Sequence, residues 1–166
     1  MAKQPKQLED LFFDGLKDIY FAEKKILVAL PKMAKAAESE ELRAAFEKHQ
    51  AETEGQISRL EEVFGLMDEE PKGKNCPAIL GLVEEGKEIM DDYKGSPAID
   101  AGLLSAAQAV EHYEISRYGT LIAWAEELGL SDAVPLFQQT LEEEKATDEA
   151  LTQLAEAAIN QEAEAA

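Results

Sequence analysis

The chain has 166 residues, 45% of them apolar and 31% charged, with 35 acidic against 16 basic side chains and a formal net charge of −19. Such a composition fits one globular domain over residues 1–166 rather than a disordered chain. The acidic excess repels phosphate backbones and anionic lipid heads, which argues against nucleic-acid and membrane-surface partners and in favour of cations.

The N-terminal stretch, MAKQPKQLEDLFFDGL, carries no signal-type apolar run. Apolar periodicity then predicts a first helix from about Gln7 to Ala37. Leu8, Leu11 or Phe12, Leu16, Ile19, Glu23, Leu27 and Leu30 mark its inner face. Pro31 should kink that helix or end it early. Ser39 is placed to cap a second helix, which ends near Phe64 with Gly65 as its C′ residue. The polar segment Asp68 to Asn75 follows. The lone Cys76 has no partner for an internal disulfide, as in proteins of a reducing, cytoplasmic compartment.

A shorter helix is predicted from Pro77 to Lys94, stopping at Gly95. Ser96 and Pro97 read as a cap and a first-turn proline, opening a third long helix that reaches Leu128 and stops at Gly129. Ser131 should cap a last long helix ending near Asn160, and the tail QEAEAA should fray. No segment approaches the roughly 20 apolar residues of a membrane span. Four long helices in two tight hairpins, joined by one long connection that carries a short helix, give an all-α, ferritin-like four-helix bundle.

Carboxylates interrupt the apolar stripes. Glu23, Glu52, Glu111, Glu114, Glu144 and Asp148 fall on faces that otherwise read Leu, Ile, Phe and Ala. Glu23 and Glu52 lie on opposite arms of the first hairpin, each roughly 20 Å from its turn at about 1.5 Å per residue. The acids of the second hairpin lie at a similar depth. Side chains three or four apart share a helix face, so the pairs Glu111/Glu114 and Glu144/Asp148 each point one way. A single helical acid is ordinarily solvated surface. Two pairs and two single acids at matched depth on four helices are the pattern of a carboxylate-bridged dinuclear metal site, most often iron.

His49 stands one turn before Glu52 on the same face, as a terminal ligand or a satisfied neighbour. His112 points about 100° away from Glu111 and reads as a surface or helix–helix residue. Tyr20, Tyr113 and Tyr118 read as core residues whose hydroxyls bond carboxylates; a redox-active tyrosine is the sharper alternative. Six carboxylates against two divalent ions leave excess negative charge. That favours ferric iron or manganese, unless one acid is protonated or stands outside the ligand set.

The segments DIYFAEKKI, HQAETEGQISRL, VEHYEISRYGTL and LEEEKATDEALTQLA resemble the YciF/YciE-like family of ferritin-like bacterial stress proteins over about residues 6 to 158. The resemblance implies a ferritin-like bundle with an added helix, a homodimer and a dinuclear iron centre. It carries Glu23, Glu52, Glu111, Glu114, Glu144 and Asp148 onto the family's acidic positions. One departure from the wider ferritin-like pattern stands out. Gly55 and Thr147 occupy the places where Glu-x-x-His motifs would put histidine.

The function expected from this reading is Fe(II) oxidation by peroxide or oxygen, limiting oxidative damage, with manganese as the other candidate metal. The alternative is a non-catalytic structural or interaction bundle with an unloaded site. Phe13 and Phe21 are candidates for a dimer face or for internal packing. No Gly-rich phosphate loop, Cys-x-x-Cys pair or nucleophile elbow occurs, and nothing specifies a storage cage.

Overall fold

A computed structural model describes residues 5–165; the first four residues of the N-terminal stretch and Ala166 of the tail lie outside it. Every regular element among the described residues is helical: α1 (Leu8–Ala36), α2 (Glu40–Leu66), α3 (Pro77–Asp92), α4 (Ile99–Glu127), α5 (Val134–Leu154) and, after a five-residue π-turn at Ala155–Ile159, α6 (Asn160–Ala165). None is long and apolar enough to cross a membrane.

The long helices form a ring of neighbours. α1 packs on α2, α2 on α5, α5 on α4, and α4 back on α1, while α3 lies outside over the seam of α1 and α4. This is the ferritin-like bundle with its single long crossover. The inner faces supply Phe12, Leu16 and Ile19 from α1, Phe46, Leu60 and Phe64 from α2, Leu103 and Leu121 from α4, and Phe137 from α5, all at most 1% exposed. Phe13 and Phe21 are half-buried against this core, Phe13 edge-on to Phe64 at 6.0 Å. α3 presses so closely on α4 that a Cβ on Gly102 would stand 2.6 Å from Ile89 Cγ2.

The helix ends test the sequence reading one by one. Ser39 Oγ accepts from the Leu42 amide at 3.2 Å, as a capping serine should. Gly95 and Gly129 take the left-handed conformation at φ 73° and 71° that ends the elements before them. Other boundaries move. α1 does not end at Pro31, which lies exposed inside it; the residues beyond it, Met33 and Ala34, are buried and hold the helix on to Ala36. α2 runs through Gly65 to Leu66, and Asp68 takes the left-handed turn instead, at φ 55°.

Ser96 and Pro97 lie in a turn before α4, whose cap residue is Ala98; Ser96 Oγ accepts from the Ala98 amide. Ser131 is exposed and caps nothing, because α5 starts at Val134 with Pro135 in its first turn, where a missing N–H costs nothing. The tail is helical as far as Ala165, the last described residue: Ile159 is 3% exposed, and its packing carries the helix on into α6. One cap had no sequence signal. Cys76 Sγ accepts from the Ile79 amide at the start of α3.

Candidate metal centre

Each helix of the ring brings a polar side chain to the same depth. α1 supplies Glu23, α2 His49, α4 Glu111 and Glu114, and α5 Glu144. The four glutamates are 0% exposed and His49 2%. One ligating atom from each of His49, Glu111, Glu114 and Glu144 lies within 4.8 Å of the others. Glu23 joins the same layer, beside Glu114 and bonded by the Tyr118 hydroxyl.

His49 sits between two acids, its Nδ1 3.0 Å from Glu111 Oε1 and its Nε2 3.6 Å from Glu144 Oε2. Both contacts are close enough for charge pairing, while Nε2 and both Glu111 oxygens are left without a hydrogen-bond partner. Gln56, fully buried on α2, donates its Nε2 to Glu144 and, at 3.2 Å, to Glu143.

Eight buried side-chain nitrogen and oxygen atoms among the described residues have no hydrogen-bond partner, and all eight belong to this layer: on Glu23, His49, Gln56, Glu111, Glu114 and Glu144. Each such atom costs about 1–3 kcal/mol, against a total stability of about 5–15 kcal/mol for a domain. A bundle of this size does not carry that cost without something to offset it.

In the metal-free protein, protons are the offset. Burial pushes the Glu23 carboxyl up to about 8, with the charge of Glu144 adding to the effect. Burial likewise raises Glu111 and Glu114 well above the ordinary carboxylate range. Burial alone would lower His49, but Glu111 and Glu144 outweigh it and hold the imidazole at about 10. Glu144 lies below its ordinary value, because His49, Glu111 and Glu114 outweigh its burial. Retained protons on Glu23, Glu111 and Glu114 and the pairing of His49 with Glu144 thus lower the charge that the metal-free layer must bury.

The remaining predicted acids stand at the rim. Glu52 is 24% exposed in its side chain, paired with Lys48 Nζ at 2.6 Å and accepting from Thr147 Oγ1 at 3.4 Å. Asp148 is 23% exposed, 3.2 Å from His112 Nε2 and from Gln108 Nε2. His112 is on the surface, as its phase requires. Each of the three tyrosines bonds a carboxylate, Tyr20 to Glu61 at 2.8 Å, Tyr113 to Asp18 at 3.1 Å and Tyr118 to Glu23. Sequence reasoning gave Gln56 no role at the site; its only signal was an amide on the stripe of Glu52.

Residues 7–164 match the family model described as a domain of unknown function, DUF892. The chain belongs to the DUF892 family. Its relatives include protein YciF of Escherichia coli K12, 46% identical over 160 residues and 96% of each chain. The crystal structure of the E. coli stress protein YciF superposes with a TM-score of 0.89 at 45% identity, covering 94% of this chain and 99% of that one. YcfI from Rhodopseudomonas palustris, described as a candidate structural protein, superposes at 0.86 with 46% identity over 92% and 97% of the two chains. A Xanthomonas campestris protein at 21% identity and a TM-score of 0.69 shares the fold. The chain is thus a YciF-like member of its family, with a buried His/Glu cluster that could hold a metal ion.

Proposed function

We propose that this protein takes up two divalent metal ions per chain, iron first and manganese as the alternative, and oxidises Fe(II) with peroxide or oxygen in a protective role under stress. The observation that carries the reading is the single layer of eight unpartnered buried polar atoms on four helices. Charge supports the number two. Four buried carboxylates (−4) with a neutral His49 balance two divalent ions (+4), a closer match than the six acids of the sequence count.

Glu23, His49, Glu111, Glu114 and Glu144 would hold the ions. Glu52 and Asp148, partly exposed at the edge, would pass cations inward or close the site as outer ligands. Two ferrous ions as substrate give up two electrons, the number that reduces one hydrogen peroxide to two hydroxide ions. The chain's own part is to hold geometry and protons. Tyr118 fixes Glu23, Gln56 fixes Glu144, and the aromatic packing below closes that end of the layer. The description of the E. coli relative as a stress protein agrees with this reading.

A cytoplasmic location and a homodimer belong to the same proposal. Leu8, Leu11 and Leu66, exposed where α1 begins and α2 ends, are the apolar surface a dimer would bury, and sedimentation velocity measures it. The test of the centre is anaerobic Fe(II) titration of metal-free protein, then peroxide or air. Saturation near two Fe per chain with a ferric charge-transfer absorption supports the reading; a silent titration ends it.

One other reading has observations behind it. Gly55 and Thr147 stand in place of the Glu-x-x-His histidines, and the R. palustris relative is described as structural. A structural bundle shows no change in melting temperature at saturating Fe(II) or Mn(II), because only a ligand that binds the native state raises stability.

A further inference from the structure

Beneath α3 a cavity of about 280 Å³ opens between α1, α3 and α4 and reaches down to His49 and Glu111. Its walls are apolar, with Ile26 and Leu30 from α1, Val83 and Met90 from α3, and Ala106 and Val110 from α4. Its mouth carries Lys25, Lys32 and Lys87 beside one acid, Glu84, and the exposed Val28 and Leu80. In a chain with 35 acidic and 16 basic residues, this opening has the opposite local sign. Glu84 pairs with Lys87 at 3.2 Å, while Lys32 forms no ion pair among the described residues.

We propose that this cavity binds a single-chain aliphatic monocarboxylate, its carboxylate outward at Lys25, Lys32 and Lys87 and its tail inward toward His49 and Glu111. The space is too large to serve only a water or a peroxide, since an apolar cavity of about 150 Å³ already holds benzene and stays dry. It lies near the lower end of the range of small-molecule pockets, roughly 300–1,000 Å³. Orientation follows from charge. The floor at His49 and Glu111 is buried and apolar-walled, so an anionic head would lose its hydration there, while the rim lysines attract one and turn away cationic amphiphiles. The end of the tail then stands beside the acidic layer. The ligand therefore competes with no cation for the carboxylates and reaches the centre by a separate path from the polar rim of Glu52 and Asp148.

The test uses the full chain, stripped of metal with chelator, and isothermal titration calorimetry with decanoate as the probe. Saturable binding of one decanoate per chain is expected. Affinity should rise about fourfold per added methylene, at roughly 0.8 kcal/mol each, until the cavity is full. Decyltrimethylammonium should bind at least about fivefold more weakly, and Lys32→Glu should weaken decanoate by up to about fivefold, the scale of an exposed ion pair. Ala106→Phe fills the cavity from the α4 wall and should abolish binding. Gly86→Leu fills it from the α3 wall, where a Cβ stands in ordinary contact, 3.7 Å from Ala106 Cβ, and serves if the first variant does not fold. No saturable binding, equal binding of the cationic probe, or a filled cavity that binds as before each overturns the proposal. Since no metal is present, that failure is separate from a silent iron titration.

Discussion

Phe12, Phe64 and Phe137 at one level of the bundle, and Glu23, Glu111, Glu114 and Glu144 at the next, are hidden from water to the same degree, 0–1% exposed. They belong to the same ring of helices. The aromatic level satisfies itself: Phe12 meets Phe137 edge-on at 6.1 Å, and Tyr20 meets Phe64 at 5.4 Å. The acidic level leaves its oxygens without partners. Tyr118 is the seam, with its ring 6.2 Å from Phe137 and its hydroxyl on Glu23. Burial alone thus says little about what a layer is for. One level supplies the stability that the other draws on.

The largest effect expected from breaking this contrast is at the aromatic level. Phe137→Ala should cost about 3–5 kcal/mol in urea unfolding, as deletion of a packed aromatic ring does. In metal-free protein Glu114→Leu should act with the opposite sign, adding about 1–3 kcal/mol by removing two unpartnered oxygens.

Metal sharpens the contrast next. Mn(II) or Fe(II) at about a thousand times its dissociation constant should stabilise the wild type by about 4 kcal/mol. Phe137→Ala should keep that gain and Glu114→Leu should lose it. Because metal bound at the proposed centre would displace protons from the raised carboxyls and from His49, loading at neutral pH should release protons, read with a pH indicator in weak buffer.

The pH profile separates the two levels without mutation. Glu23 rises from its ordinary 4.5 to about 8 on folding, and His49 from 6.5 to about 10. The stability from Glu23 is complete below pH 4.5 and is lost as pH rises through about 8; that from His49 is complete below 6.5 and is lost through about 10. The metal-free protein should therefore melt at lower temperature at pH 9 than at pH 6. Metal affinity should run the other way, strengthening as protons leave. A flat metal-free profile would show that the acidic level is not buried as described.

The smallest effect is expected at the rim. Glu52→Gln and Asp148→Asn, partly exposed at the rim, should each change metal-free stability by no more than about 0.5 kcal/mol, as substitutions outside the packed core do. Stopped-flow absorbance should show slower Fe(II) uptake with an unchanged end point. A lost equivalent of iron would instead make either residue a ligand.

The four long helices, the long crossover with its short helix and the depth of the acids were all readable from the chain, because spacing along one helix fixes both rise and phase. Glu23, Glu111, Glu114 and Glu144 followed from that spacing and are buried together. The boundaries that moved, at Pro31, Gly65, Ser96, Ser131 and the tail, are those where packing of Met33, Ala34 and Ile159, or a neighbouring turn, overrode a local signal. What sequence could not decide is the rotation of each helix about its own axis. Glu52 lies about 60° around α2 from His49, and Asp148 about 40° around α5 from Glu144, at 100° per residue. Offsets that small fall within one apolar stripe on paper. In the packed bundle they separate His49 and Glu144, wholly inside, from Glu52 and Asp148 at the rim, because only the contacts of α2 and α5 with each other and with their neighbours set which edge of each stripe faces the centre.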